Sequence, residues 1–294
     1  MPLWRFDAIG TTWEIDSEHP LDDSVRSRIN DLIEDFDRTW SRFRRDSLVS
    51  RLGRSGGTAA LPPDAPAMLD AYRALTRATD GAVNPLVAES LNALGYDPDY
   101  SLRPGTPRPA PSEWTGIVSW AEPLLSVSTP ALLDVGALGK GRLVDRVFDE
   151  LADVPGIRAV DAGGDLRVRE DMRVGLEHPF DPSAAIGVAM IRDQAICASA
   201  ITRRAWGSGL HHVLDARTGI PVRTWAATWA IGADAMTADA VATALFFDGG
   251  ADFAAERGVE WVRMSTDGRA QWSASAPIEV FRPGGRFDEG ELTL

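Results

Sequence analysis

The sequence predicts a mixed α+β protein, a single globular unit in which helices flank a central, largely antiparallel sheet. Three observations predict it. Val25, Ile29, Leu32, Ile33, Phe36, Trp40 and Phe43 recur at intervals of three and four across residues 22–43, the apolar stripe of a helix packed on a core. Short apolar runs fill the second half, separated by turn pairs such as Arg192-Asp193 and Asp267-Gly268 that fold neighbouring strands back on each other. The Pro-rich segment 103–111 (RPGTPRPAP) is the one candidate linker, but the elements after it hold too few helices to form a layer of their own. Strands on both sides therefore join one sheet. The unit is expected to span residues 1–283, with a polar acidic tail over 284–294.

Taken in order, residues 4–15 read as one strand with Gly10-Thr11-Thr12 as a bulge. Helix 22–43 follows, capped by Asp22 or Asp23, then a short helix near residues 46–52. Residues 53–63 form a Gly-rich loop, and 66–79 an amphipathic helix with Leu69, Tyr72 and Leu75 inside and a positive-φ end at Asp80-Gly81. Residues 116–119 and 124–128 are short strands and 132–135 a strand end. Gly136, Gly139 and Gly141 then open a turn into a helix whose face is Leu143, Val144, Val147, Phe148 and Leu151. Strands are expected at 158–161, 166–168, 173–176, 186–191, 194–199, 211–214 and 225–231. Thr237 is a candidate cap for the helix ADAVATALFF, residues 251–257 form a last helix, and 261–265 pairs with 278–281 across Asp267-Gly268.

Composition bounds the function. With 294 residues, 44% hydrophobic and 25% charged, the chain is an ordinary globular protein with room for a sizeable core. A net charge of −13 excludes the basic footprint of a nucleic-acid binder. One cysteine, Cys197, excludes an internal disulfide framework. The start of the chain lacks a basic region followed by an apolar run, and there is no run of 18 apolar residues. The expectation is a soluble cytoplasmic protein without a membrane span.

Three stretches carry chemistry. Asp239 and Thr243 stand four apart on one helix face, so a carboxylate and a hydroxyl offer hard oxygens to one point, which suits Mg²⁺ sharing its shell with a phosphate. An Asp in a first helical turn is equally favoured by the helix dipole, and a Thr in an Ala-rich helix can simply pack. Lys140, the only lysine in the chain, sits in the Gly-rich turn, where glycines and a helix N-terminus favour a bound phosphate but also serve a tight connection. Gly163 and Gly164 let backbone approach a ligand or merely close a hairpin.

These stretches resemble the ApbE family, the FAD:protein FMN transferases. The family's His-x-x-Asp-Pro-x-Thr-Gly turn is matched by His212, Asp215, Thr218 and Gly219, with Ala216 in place of Pro. Its Ala-Asp-Ala-x-Ala-Thr helix start is matched by Ala238, Asp239, Ala240, Ala242 and Thr243. Asp134-Val135-Gly136-Ala137-Leu138-Gly139-Lys140-Gly141 resembles its Asp-Leu-Gly-Gly-Ile-Ala-Lys-Gly, and Gly163-Gly164-Asp165 its Asn-x-Gly-Gly-Asp. Ser199 and one of Arg203 or Arg204 fall on its Ala-Thr-Ser-Gly-x-Tyr-x-Arg, but Ala200 replaces Gly and Thr202 the aromatic.

The resemblance implies an ApbE-like domain that cleaves FAD, joins FMN through a phosphoester to a Thr or Ser of a target protein, and releases AMP. It implies Mg²⁺ on Asp239, Thr243 and the Ala137 carbonyl, with Lys140 reaching the flavin nucleotide. Gly163, Gly164, Asp165, Ser199 and His212 would line the FAD site. His212 or Asp239 would serve as catalytic base. An Mg²⁺-dependent FAD pyrophosphatase using water, and a non-catalytic FAD-binding protein, are the alternatives.

Overall fold

The computed structural model describes residues 2–281, and the tail expected over 284–294 lies outside them. The chain opens with a hairpin, β1 (Leu3–Ala8) and β2 (Thr11–Ser17), where one bulged strand was expected. Ile9 and Gly10 both take positive φ (45° and 77°), the conformation a tight hairpin needs, so the chain reverses instead of bulging. Helix α1 (Asp23–Trp40) follows, then α2 (Leu48–Ser55), capped by the Ser47 hydroxyl, which accepts from the Ser50 amide. The expected Gly-rich loop contains a strand, β3 (Gly57–Ala60), followed by α3 (Ala65–Ala78) and a short α4 (Ala88–Ala93).

Residues 114–117 make a single helical turn, α5 (Trp114–Ile117), so the strand expected from 116 begins only at β4 (Val118–Ala121). It pairs with β5 (Leu124–Val127), which also pairs with β3. Residues 132–135 are not a strand end but irregular chain leading into α6 (Gly139–Glu150). Next come β6 (Ile157–Asp161), β7 (Asp165–Val168), β8 (Met172–His178), β9 (Asp181–Ile191) and β10 (Ala195–Ala200). Two miniature hairpins pair β11 (Ala205–Trp206) with β12 (Leu210–His211), and β13 (Leu214–Asp215) with β14 (Ile220–Pro221). The chain then runs through β15 (Trp225–Gly232), α7 (Ala235–Ala244), α8 (Gly250–Glu256), β16 (Glu260–Ser265), β17 (Ala270–Trp272) and β18 (Ile278–Val280).

Eight strands form one antiparallel sheet in the order β1-β2-β6-β7-β10-β15-β16-β17. A second sheet, β18-β9-β8, covers one of its faces. The Asp267-Gly268 turn thus joins β16 to β17, not to the strand at 278, which pairs with β9. Arg192-Asp193 carries the chain from the small sheet to the large one. Strand alternation sorts the side chains: Ile196, Trp229 and Ile231 face the small sheet, while Ala195, Cys197 and Ala230 face the helices.

The Pro-rich segment is not a linker. Gly105 N donates to Ala93 O at 2.8 Å, Ala110 N to Ala216 O at 2.7 Å, and Asn84 Nδ2 to Pro111 O at 2.8 Å, so the segment is sewn to α4 and the 215–219 turn. Helix α7 is apolar nearly all round and buried between the large sheet, α3, α6 and α8. Its alanines permit that close packing. Against α6 the approach is closest at Gly141, where a Cβ would stand 2.2 Å from Ala235 O and 2.8 Å from Asp239 Cβ.

Candidate active site

The cap of α7 is Asp234, not Thr237: its carboxylate accepts from the Thr237 amide at 2.7 Å. Asp has the stronger N-cap preference, and here it starts the helix three residues before the expected ADAVAT run. The next amides, Ala235 N and Met236 N, donate to the buried Asp145 of α6 at 2.8 and 2.9 Å, and Arg167 pairs with the same carboxylate at 2.7 Å. This bracing aligns α7 with α6 and fixes the height of the side chains one turn further on.

Asp239 and Thr243 lie where the spacing placed them, on adjacent turns of α7. Asp239 is buried, and its Oδ2 accepts from Gly141 N at 3.0 Å. The Thr243 hydroxyl lies 3.2 Å from the Ala137 carbonyl. Two oxygens bound side by side to octahedral Mg²⁺ at 2.0–2.1 Å would stand about 2.9 Å apart, so this pair is near ligand spacing already.

Across from them, Asp165 opens β7, fully buried, and pairs with Lys140 Nζ at 2.9 Å. The same carboxyl group also lies against Asp239. Burial, and then the charge of Asp165, push Asp239 well above the ordinary carboxylate range. Burial alone would lower Lys140, but Asp165 and Asp239 outweigh it and raise the ammonium above its usual range. Two crowded carboxyl groups, a hydroxyl and a carbonyl form an oxygen donor set that fits a hard divalent cation. Among the described residues no group of three or more His, Cys, Asp or Glu side chains could hold a metal.

The glycine-rich turn does not act as a phosphate cradle through its amides. Gly136 N donates to Asp134 Oδ1 at 2.7 Å, Ala137 N to Tyr72 Oη at 3.2 Å and Gly139 N to Val135 O at 2.7 Å, and Gly141 N is already spent on Asp239. The turn presents the Ala137 carbonyl to Thr243 and carries Lys140 to Asp165. Gly163 and Gly164 turn at positive φ between β6 and β7, with Gly164 N held by Asp161 Oδ1 at 3.0 Å. Asp161, which the sequence reading left as a strand end, thereby adds a carboxyl group near Lys140; burial pushes it up.

Ser199 is half-buried on β10, opposite Thr228. The two arginine candidates separate. Arg203 is exposed and pairs with Glu177 at 2.8 Å, whereas Arg204 is half-buried and its charge acts on His212. Thr202 is exposed. Cys197 is buried, its thiol pushed well up by burial and donating to Ala235 O at 3.3 Å, so it is a packing residue.

His211 ends β12. It is buried, with Nε2 2.8 Å from Val222 O. His212 Nδ1 has neither solvent access nor a partner among the described residues. Burial first, then the charges of Arg204 and His211, lower His212 to about 3, and Lys140 contributes in the same direction. The ring is neutral at physiological pH, and it stands in the field of Lys140.

Its effect on stability has a definite sign. The folded value lies below the ordinary 6.5, so the unfolded chain takes up a proton first. Stability from the neutral ring is complete above 6.5 and is lost as pH falls from there toward 3. Thermal midpoints measured between pH 7 and pH 4 should therefore shift progressively in favour of His212→Gln over wild type as pH drops. Parallel curves would show that the ring titrates normally.

The ApbE family model matches residues 9–265. The chain is 27% identical over 247 residues to an FAD:protein FMN transferase of Klebsiella pneumoniae (strain 342), covering 76% of each. It is also 27% identical over 254 residues to one of Rhodobacter capsulatus, covering 78% of this chain but 47% of that longer protein. Among solved structures, it superposes on the ApbE protein of Thermotoga maritima with a TM-score of 0.79 at 22% identity, over 92% of this chain and 96% of the other. It superposes on the flavin transferase ApbE of Vibrio cholerae with a TM-score of 0.75 at 21% identity, over 93% and 97%. Both show the shared mixed α+β fold, and no helix of the described residues is long and apolar enough to cross a membrane. With the family model spanning most of its length, the chain belongs to the ApbE family.

Proposed function

We propose that the chain, as one catalytic unit over residues 1–283 working in the cytoplasm, is an Mg²⁺-dependent FAD:protein FMN transferase. The observation that carries this reading is the convergence of Asp239, Thr243 and the Ala137 carbonyl beside the Lys140–Asp165 pair. The names of its relatives supply the substrate class.

Asp239, Thr243 and Ala137 would hold Mg²⁺. When bound, the metal neutralises the pyrophosphate and the charge that builds on departing AMP. Lys140 and Arg204 add positive charge from the protein, which a chain of net charge −13 must supply locally. Gly163, Gly164, Asp165 and Ser199 line the nucleotide side.

The acceptor Thr or Ser hydroxyl attacks the FMN phosphorus. The bond to the bridging oxygen breaks, and AMP leaves with that oxygen and its electron pair. The hydroxyl proton needs an acceptor. Asp239 is committed to Gly141 N and the metal position, whereas His212 is neutral with a buried, unpartnered Nδ1, so we assign the proton to His212. Burial first and positive neighbours second hold this imidazole down, and a pyrophosphate anion nearby would offset the second and raise it.

Nucleotide separation after incubation with FAD and Mg²⁺, with and without an acceptor protein, tests the reading. AMP release that requires the acceptor is the expected result. FMN and AMP without acceptor would mean water is the nucleophile, and intact FAD throughout would leave a flavin-binding protein. Cell fractionation tests the location.

A further inference from the structure

The reaction as described makes no use of Tyr72, yet this is the one buried tyrosine whose hydroxyl touches the metal-side turn. Tyr72 lies on α3, 1% exposed, with its ring among the core residues. Its hydroxyl donates to Asp134 O at 2.9 Å and accepts from Ala137 N at 3.2 Å. One phenol oxygen therefore closes the loop from 134 to 137 from the inside. The Asp134 side chain is tied separately, to Arg42 at 2.6 Å and to Gly136 N at 2.7 Å. Arg42 is 3% exposed at its side chain, stacks over Phe43 and Tyr96, and donates to Tyr96 O at 2.9 Å.

The peptide plane at stake explains why this matters. A rigid amide plane couples its N–H to the carbonyl one residue earlier, and the next peptide plane turns about the same Cα. Ala137 N shares its plane with the Gly136 carbonyl, so gripping it from α3 anchors the Ala137 Cα about which the next plane turns; the carbonyl of that next plane, held on its other side by Leu138 N donating to Val135 O at 3.2 Å, is the oxygen 3.2 Å from Thr243 Oγ1. No other side chain among those described donates to or accepts from the Ala137 amide.

We propose that Tyr72 is a positioning residue for the cation, holding the Ala137 carbonyl at ligand spacing from Thr243 through its bridge between Asp134 O and Ala137 N. This rests on the metal-site reading above. A backbone ligand has no rotamer of its own to lock, so its direction must be set by what grips the neighbouring amides, as hydrogen-bond partners orient side-chain ligands elsewhere. Replacement by phenylalanine removes only the oxygen and keeps the ring in the core.

The test measures Mn²⁺ binding directly, by the loss of the free-ion paramagnetic signal, in wild type, Asp239→Ala and Tyr72→Phe. Tyr72→Phe should bind Mn²⁺ about 10-fold or more weakly, the range seen when partners of metal ligands are removed. Its affinity for FAD without metal should stay at the wild-type value, and turnover should recover as Mg²⁺ is raised, a KM-type loss in metal rather than in kcat. Equal Mn²⁺ affinity in wild type and Tyr72→Phe would overturn the role of Tyr72 and leave the metal site standing. Binding that is equal in wild type and Asp239→Ala would overturn the site itself, and the role with it.

A second measurement does not depend on that variant folding. The chain has three tyrosines, so a Tyr96→Phe, Tyr100→Phe protein made with fluorotyrosine carries a single ¹⁹F label at position 72. Its resonance should move with Mg²⁺ at the midpoint of metal binding. A resonance that ignores the metal would count against the proposal.

Discussion

Asp239→Asn is expected to cut Mg²⁺-dependent AMP release from FAD by about 10³-fold or more while making the metal-free protein more stable. The first effect follows from the charge stabilisation that a metal supplies, several kcal/mol, with each 1.4 kcal/mol worth a factor of ten. The second follows from the neighbours. Asp239 faces Asp165 in a buried setting, and burial together with that neighbouring charge disfavours the Asp239 anion. Asparagine keeps the acceptor for Gly141 N and offers Asp165 an N–H donor in place of a second carboxylate. One added hydrogen bond of about 1 kcal/mol would raise the thermal midpoint by roughly 2–4 °C. Nucleotide separation and calorimetry in chelator, run on the same two proteins, read both effects. Normal turnover in the variant would remove Asp239 from the metal site. A lower midpoint would mean the carboxyl pair is not under strain.

Gly141→Ala should disrupt the packing of α6 against α7 with a single methyl. Its Cβ would meet Ala235 O at 2.2 Å, Ala235 C at 2.6 Å and Asp239 Cβ at 2.8 Å, two of them backbone atoms. Backbone cannot rotate out of the way, so α6 and α7 must part. Overpacking of this kind costs about 1–3 kcal/mol and occasionally more, a drop of up to about 10 °C in midpoint. Because α6 carries Lys140 and α7 carries Asp239 and Thr243, Mn²⁺ affinity should fall along with stability. A variant with unchanged midpoint and metal binding would show that the two helices can slide freely. Gly116→Ala, where a Cβ meets nothing within 4 Å, is the matched control.

The elements legible in the sequence were those whose signal is periodic or local. Helix α1 announced itself by its apolar stripe, and Asp239 and Thr243 by their spacing of four. What escaped has a physical reason in each case. Tyr72 was read correctly as an inward residue of α3, but periodicity reports only that a side chain points inward, not what its hydroxyl touches 62 residues away. Asp145 and Arg42 are polar residues on otherwise apolar faces, and their partners, Ala235 N and Asp134, come from distant segments. The first hairpin was missed because Ile9 adopts positive φ, which a β-branched residue rarely does. Choosing between Arg203 and Arg204 needed the local turn: adjacent residues point apart, and only the fold says which one faces His212. The three-stranded second sheet was invisible because 278–280 pairs with β9 instead of with its neighbour in sequence.

The lysine content of this chain has a practical side. Lys140 is the only lysine beside 29 arginines, and it is ion-paired inside the site. Apart from the α-amine, every reagent that targets primary amines therefore has one destination. Acetyl donors, reducing sugars and amine-coupled sensor surfaces either react at the α-amine or must reach the half-enclosed Lys140–Asp165 pair. Because Asp165 keeps that ammonium protonated, they should react there slowly near neutral pH. Isotope-labelled lysine turns the same scarcity into an advantage. It would give a spectrum with one lysine signal, reporting on the surroundings of the Lys140–Asp165 pair.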